Sequence, residues 1–271
     1  MKKCAEFIVY SLIIAFFSCC GTKSKEERSS SITTTPFELH ESYRLIEQAE
    51  ESPQLSIDIS LTLVETGDKE ADENISRALA WTLFESPVTE KSEKPLAEAC
   101  GYYVERIKEE YHELLPSYID TRESGVPEVW FNNYYLISSE ASTGYKGYIN
   151  YIIQWEEYTG GAHPMSNCTA LNFNPANGEE IVLEDILKEG YEEPLISILE
   201  KSLAKQLNVE DIDAVKAKGY MYGDADMFVS NNFILEKERI VFIYNKYDLA
   251  PYSAGEIMIN VNYDEIKKLM K

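Results

Sequence analysis

Histidine is scarce in this chain. Only His40, His112 and His163 occur in 271 residues, too far apart to supply the closely spaced histidine pair of a metal-dependent deacetylase or metallohydrolase. No Gly-x-Ser-x-Gly elbow is present, so the familiar signature of an exposed nucleophilic serine is missing. Basic residues are few, 25 against 47 acidic ones, giving a formal net charge of −22. Phosphates would be repelled by that charge, which excludes nucleic acid as a partner and argues against direct adsorption to anionic lipid. No apolar run approaches the ~20 residues of a spanning helix. Beyond the first twenty residues cysteine is reduced to Cys100 and Cys168. An oxidising compartment would permit a bridge between them; alternatively Cys100, on the apolar stripe of a predicted helix, is a small buried hydrophobe.

The first residues do carry a signal. Lys2 and Lys3 precede a mostly apolar run from Phe7 to Phe17, followed by Ser18 and Cys19. A charged start, an apolar stretch of that length and a small residue before the cut site describe a secretory leader over 1–18. A cysteine just after the small residue resembles a lipobox. Cys19 is therefore the expected lipidation site, and Cys20 the alternative. Removal of the leader takes away two lysines and one glutamate, shifting the formal charge from −22 to −23. Residues 19–36, rich in Ser, Thr, Lys and Glu, are expected to be a flexible linker. The expected location is the cell envelope, anchored through the lipid at the outer membrane and facing the periplasm or the surface.

The remaining 37–271 is expected to form one α+β domain, an antiparallel sheet with helices packed on one face, its N-terminal part running to about 125 and its C-terminal part from about 126. Phe37 to Glu51 leans towards a strand. Ile57, Ile59, Leu61 and Leu63 alternate with polar residues, a half-buried strand. Ile75, Ala78, Leu79 and Leu83 recur at helical spacing. Leu96, Cys100, Tyr103, Ile107, Tyr111 and Leu114 form a second helical stripe that Pro95 opens and Pro116 is expected to end. Val129–Ile137, Tyr145–Trp155 and Asn167–Phe173 follow as strands. Leu195, Leu199, Leu203 and Leu207 mark a helix; Phe233–Leu235, Ile240–Tyr244 and Ile257–Val261 are short strands, before a last helical turn over Asp264–Met270.

Two segments stand out, Tyr158-Thr159-Gly160-Gly161-Ala162-His163-Pro164 and Tyr247-Asp248-Leu249-Ala250-Pro251-Tyr252-Ser253-Ala254-Gly255. Both have a plain structural explanation, because Gly and Pro shape the turns that join strands. Placed side by side, they would also gather Gly160, Gly161, His163, Tyr247, Pro251 and Tyr252 into an aromatic, partly polar patch suited to a glycan or a protein loop. His163 has neither an evident nucleophile nor an orienting partner in the sequence, as catalysis would require. Asp211, Asp213, Asp224 and Asp226 match no EF-hand spacing. No metal and no cofactor is expected.

The order of these motifs, Gly-Gly-Ala-His after a long strand, Asn177-Gly178 leading to Leu183-Glu184-Asp185-Ile186-Leu187, then Tyr-Asp-Leu-Ala-Pro-Tyr-Ser-Ala-Gly, resembles the extracellular domain shared by the anti-sigma factor RsiV and the N-terminal part of the peptidoglycan deacetylase PdaC. The resemblance covers roughly 55–271 and implies an α+β fold. In the RsiV branch it implies lysozyme binding. The chain has neither an anti-sigma segment nor a deacetylase domain, so signalling across a membrane and deacetylation do not carry over. The expected function is a non-catalytic, envelope-anchored recognition domain for lysozyme or a cell-wall glycan such as peptidoglycan. The rivals are a hydrolase of envelope polymers using His163 and nearby carboxylates, and a structural envelope lipoprotein. Metabolic labelling with a fatty-acid analogue tests the anchor: Cys19→Ala should abolish incorporation, whereas loss only in Cys20→Ala would move the lipid by one residue.

Overall fold

The computed structural model describes residues 32–85, 92, 94–122, 128–221 and 226–271. The expected leader, Cys19, residues 20–31 of the linker and Asp224 lie outside the described residues. No helix among the described residues is long and apolar enough to cross a membrane.

The chain is α+β, in two sheets rather than one. The first has the order β1 (Thr33–Arg44), β2 (Gln54–Glu65), β3 (Asn133–Thr143), β4 (Ile149–Tyr158) and β5 (Met165–Phe173). All its pairings are antiparallel except β2–β3. That parallel pair departs from the expected antiparallel sheet, and its cause is the intervening block of helices. A connection carrying α1 (Lys69–Phe84), α2 (Pro95–His112) and α3 (Leu115–Arg122) takes the chain from the end of β2 back to the end of the sheet where β2 began. The sheet also joins the two expected parts directly, Leu55 standing opposite Asn133.

Residues 129–131 and 145–147, expected as strand, lie in the short 3-10 turns Glu128–Phe131 and Tyr145–Gly147, and two of the other boundary differences have a plain cause. β1 begins at Thr33, so the last four residues of the expected linker are strand. Threonines with nothing to bury look like linker residues, yet β-branched side chains suit an edge strand. The second concerns Pro116, which opens α3 instead of ending a segment. α2 stops at His112, and the proline falls in the first turn of the next helix, where its missing N–H is harmless.

Period-2 and period-3.6 patterns meet at the first core. Leu55, Ile57, Ile59 and Leu61 of β2 point to one face and pack against Ile75 and Leu79 of α1 and Leu96, Cys100, Tyr103 and Ile107 of α2. Asp68 caps α1, its carboxylate accepting from the Glu70 and Ala71 amides at 3.0 Å. The second sheet, β6 (Phe233–Leu235), β7 (Arg239–Tyr244) and β8 (Ile257–Asn262), is antiparallel. Between the sheets lie α4 (Leu183–Ile186), α5 (Glu192–Gln206) and α6 (Ile212–Ala217) in sequence, and α7 (Tyr263–Ile266) ends the element order. Phe233, Leu235, Ile240, Phe242, Ile259 and Val261 pack on Leu195, Leu199 and Leu203 of α5. Helices thus cover the outer face of each sheet, one face in either case, as expected.

The inner faces meet through a small cluster, Cys168 and Ala170 of β5 with Ile234, Val241 and Ile243, flanked by Ile152. Cys100 and Cys168 are both free and buried, in different clusters on opposite faces of the first sheet. Burial pushes their thiols up, to about 11 and about 12.

Asparagines complete this junction. Asn172 of β5 donates to the Phe233 carbonyl at 2.9 Å and accepts from the Leu235 amide at 3.2 Å. Asn232 accepts from the Ala170 amide and donates to the Cys168 carbonyl, both at 2.7 Å. Asn245 accepts from the Cys168 amide at 2.8 Å and donates to the same carbonyl at 3.0 Å. Asn150 donates to the Leu235 carbonyl at 3.0 Å. The β3–β4 turn comes so near that a Cβ on Gly144 would collide with that carbonyl. Replacing buried Asn172 with leucine orphans one amide and one carbonyl. The expected loss is about 3 kcal/mol in denaturant unfolding, against ~0.5 kcal/mol or less for exposed Asn231→Ala.

Candidate functional site

The two singled-out segments become the β4–β5 and β7–β8 loops, and Asn245 ties them together. From its place after β7 its amide holds the Cys168 backbone of β5. The Asn245 amide N–H donates to the Asp248 carboxylate at 2.7 Å and Tyr247 N–H to the Ala250 carbonyl at 3.0 Å, a tight turn. Leu249 and Ala250 are buried beneath it. Tyr247 has φ 74°, a left-handed conformation uncommon for a large side chain, and the residue is 47% exposed. Strain of that kind persists where surrounding structure fixes it and is a pointer to function.

The loops stack their rings. His163 lies on Tyr252 with centroids 4.1 Å apart and planes 26° from parallel; Tyr247 approaches Tyr252 at 5.9 Å. The Tyr252 hydroxyl donates to the Pro164 carbonyl at 3.0 Å, closing the platform across the two loops. Lys246 places its ammonium 4.5 Å from the Tyr252 centroid and donates to the Ser166 hydroxyl. Pro251 is exposed at the entry to the short 3-10 turn Tyr252–Ala254. Gly160 and Gly161 take φ 99° and 102°, as the hairpin needs, and the Gly161 carbonyl accepts from the Tyr158 hydroxyl at 2.9 Å. All six residues of the expected patch therefore lie on or beside one surface.

That surface is larger than the sequence suggested. Tyr134 and Tyr158 face each other across β3 and β4 and stack at 5.9 Å. Tyr134 donates to the Glu156 carboxylate at 2.8 Å; burial, then that hydrogen bond and charge, pushes its hydroxyl up to about 12. Exposed Trp130 abuts Gly160 through its backbone. The alternation along both strands was visible, but the Tyr134–Tyr158 pairing depends on a register that composition does not reveal.

His163 lacks the surroundings of a general base. His163 is exposed and bonds through Nδ1 only to its neighbour's carbonyl, Pro164 O, at 3.1 Å. Among the described residues no carboxylate pairs with it, and a general base needs such an orienting partner. Lys246 and Ser166 are the nearest thing to a nucleophile pair, but there the ammonium donates. No group of three or more metal-ligating side chains is assembled among the described residues.

Comparison with known proteins agrees with this architecture. Residues 184–264 match the model of a family described as a protein of unknown function, DUF3298. That span includes Tyr247, Pro251 and Tyr252 and excludes the Gly160–His163 turn. A crystal structure of a DUF3298 family member from Bacteroides fragilis is similar, with a TM-score of 0.79 and 26% identity over 90% of this chain and 95% of that one. A DUF3298 family protein from Pseudomonas aeruginosa shares the fold at a TM-score of 0.58 and 18% identity, covering 90% and 96%. No curated protein matches the chain.

The turn makes a graded prediction. A Cβ on Gly160 would lie 2.9 Å from the Trp130 carbonyl oxygen, whereas one on Gly161 meets nothing within 4 Å. Both glycines have positive φ, so each alanine variant carries strain of about 1 kcal/mol or more. Thermal unfolding should show the larger loss for Gly160→Ala.

Proposed function

We propose that this protein is an envelope-anchored, non-catalytic lipoprotein that recognises a basic protein of the lysozyme type through the His163–Tyr252–Tyr247 platform. The observation that carries the reading is the 4.1 Å stack of His163 on Tyr252, built from two loops that Asn245 clamps to one strand. Rigid aromatic groups with polar rims make binding anchors because little side-chain freedom is lost on association. The formal charge of −22 favours a cationic partner and speeds its encounter. The resemblance of the loop motifs to the RsiV and PdaC extracellular domain suggests lysozyme as that partner. The lipid on Cys19 would hold the platform at the envelope, where such a partner arrives.

A cell-wall glycan is the second reading. Tyr134 stacked on Tyr158, with Glu156 beside them, extends the platform into a surface where sugar rings could lie.

Calorimetry with lysozyme and with soluble peptidoglycan fragments separates these readings. Tyr252→Ala should cost ~2 kcal/mol or more, about 30-fold in affinity for lysozyme. Wild-type binding should persist between ~50 mM and ~300 mM salt, since contacts that depend on net charge alone are screened within ~8 Å at physiological strength. Binding that disappears with salt and ignores Tyr252 would reduce the interaction to net charge. Binding of fragments without lysozyme would assign the platform to glycan.

A further inference from the structure

The strand end that carries the platform has an opening on its other face. Between the helices and the β3–β5 surface lies a cleft of about 520 Å³. Its walls include Tyr103, Arg106 and Glu110 of α2, Tyr135 of β3, and Trp155 and Glu157 of β4. Tyr103 and Tyr135 meet edge-on at 6.3 Å. Arg106 lies 5.5 Å over the Tyr103 ring and 3.8 Å from Glu110, so its guanidinium is engaged. The wall thus already accommodates one organic cation at its rim.

Glu157 stands apart. It follows Ile149, Tyr151, Ile153 and Trp155 on the face of β4 turned to the helices, where an acid interrupts an apolar stripe. Among the described residues no hydrogen bond or ion pair reaches its carboxylate. Burial first, and the Glu110 charge second, hold its carboxyl above the usual range. Glu85, at the end of α1, adds a third carboxylate, and among the described residues Arg106 is the only base lining the cleft. Half-buried, unpaired negative charge beside aromatic walls is costly without a ligand and complementary to a cation.

We propose that this cleft receives the cationic end of an arginine or lysine side chain of a protein partner, with Glu157 as its counter-charge and Tyr135 and Trp155 against its methylenes. The cleft is far larger than a bare cation and open along one side, which suits a side chain presented on a loop. The identity of the source rests on the basic-partner reading above; the cleft and its charge do not.

Side-chain analogues test the site without any partner. The full chain is titrated with n-butylguanidinium and n-butylammonium, with n-butanol as the uncharged control, while the Trp155 indole signal is followed by NMR. The cations should shift that signal saturably in the millimolar range and n-butanol should not. Glu157→Gln should weaken binding at least tenfold, whereas Tyr252→Ala should leave it unchanged, so failure of the platform and failure of the cleft are told apart. The pH dependence provides a check that needs no variant. Protonation of Glu157 competes with the cation, so affinity should fall from pH 7 to pH 4.5; the other charged groups facing it across the cleft are Arg106, Glu110 and Glu85. The same carboxyl binds its proton more tightly folded than unfolded, so it lowers stability as pH rises through its raised range. Glu157→Gln should therefore melt higher than wild type at pH 7 and equally near pH 4. Equal binding of n-butanol, full affinity in Glu157→Gln, or affinity independent of pH would overturn the proposal.

Discussion

The asparagine amides along β5 hold the molecule together. β5 is the last strand of the first sheet, and its outward N–H and C=O groups would otherwise face the second sheet with no partner. An orphaned buried backbone group costs roughly what a lost hydrogen bond does, and an open edge invites pairing with other chains. Here the partner is a row of side chains. An asparagine amide offers one donor and one acceptor side, as a peptide group does, and Asn232 and Asn245 stand just before β6 and just after β7, so the open end of the hairpin grips the edge at Cys168 and Ala170. Asn172 returns the favour from β5 to Phe233 and Leu235. The apolar cluster between the sheets is small, so specificity of their approach comes from these polar contacts.

The aromatic platform inherits its order from that junction. Asn245 belongs both to the edge of β5 and to the turn that presents Tyr247 and Tyr252. His163 precedes β5 by two residues, so fixing the strand fixes the loop that carries it. The platform and the acidic cleft then occupy opposite faces of the same strand end, Tyr158 on one side and Glu157 on the other, because successive residues of a strand point opposite ways.

Much of this was legible in the residues. Alternation located β2 and β4, heptad-like spacing located α1, α2 and α5, and the two Gly- and Pro-containing loops were singled out before their adjacency was known. What was not legible depends on long-range placement. The parallel pairing of β2 with β3 leaves no trace in either strand. Asn232, Asn245 and Asn172 look like ordinary turn or strand-end polar residues, and only the folded edge gives them a purpose. Tyr134 needed the register. Glu157 did leave a signal, an acid in phase with the apolar side of β4, but Glu156 beside it made the pair resemble a strand end running into solvent.

The edge strand β1 also sets how the domain would bear a load. Thr33, nearest the proposed tether, pairs with Glu65, while the platform lies beyond the opposite end, where Ser56 pairs with Tyr134 and Tyr134 with Tyr158. Twelve residues of strand separate these ends, roughly 36 Å. A pull between an anchored lipid and a captured partner would therefore run along the strands, shearing the β1–β2 ladder as a whole instead of peeling it one rung at a time.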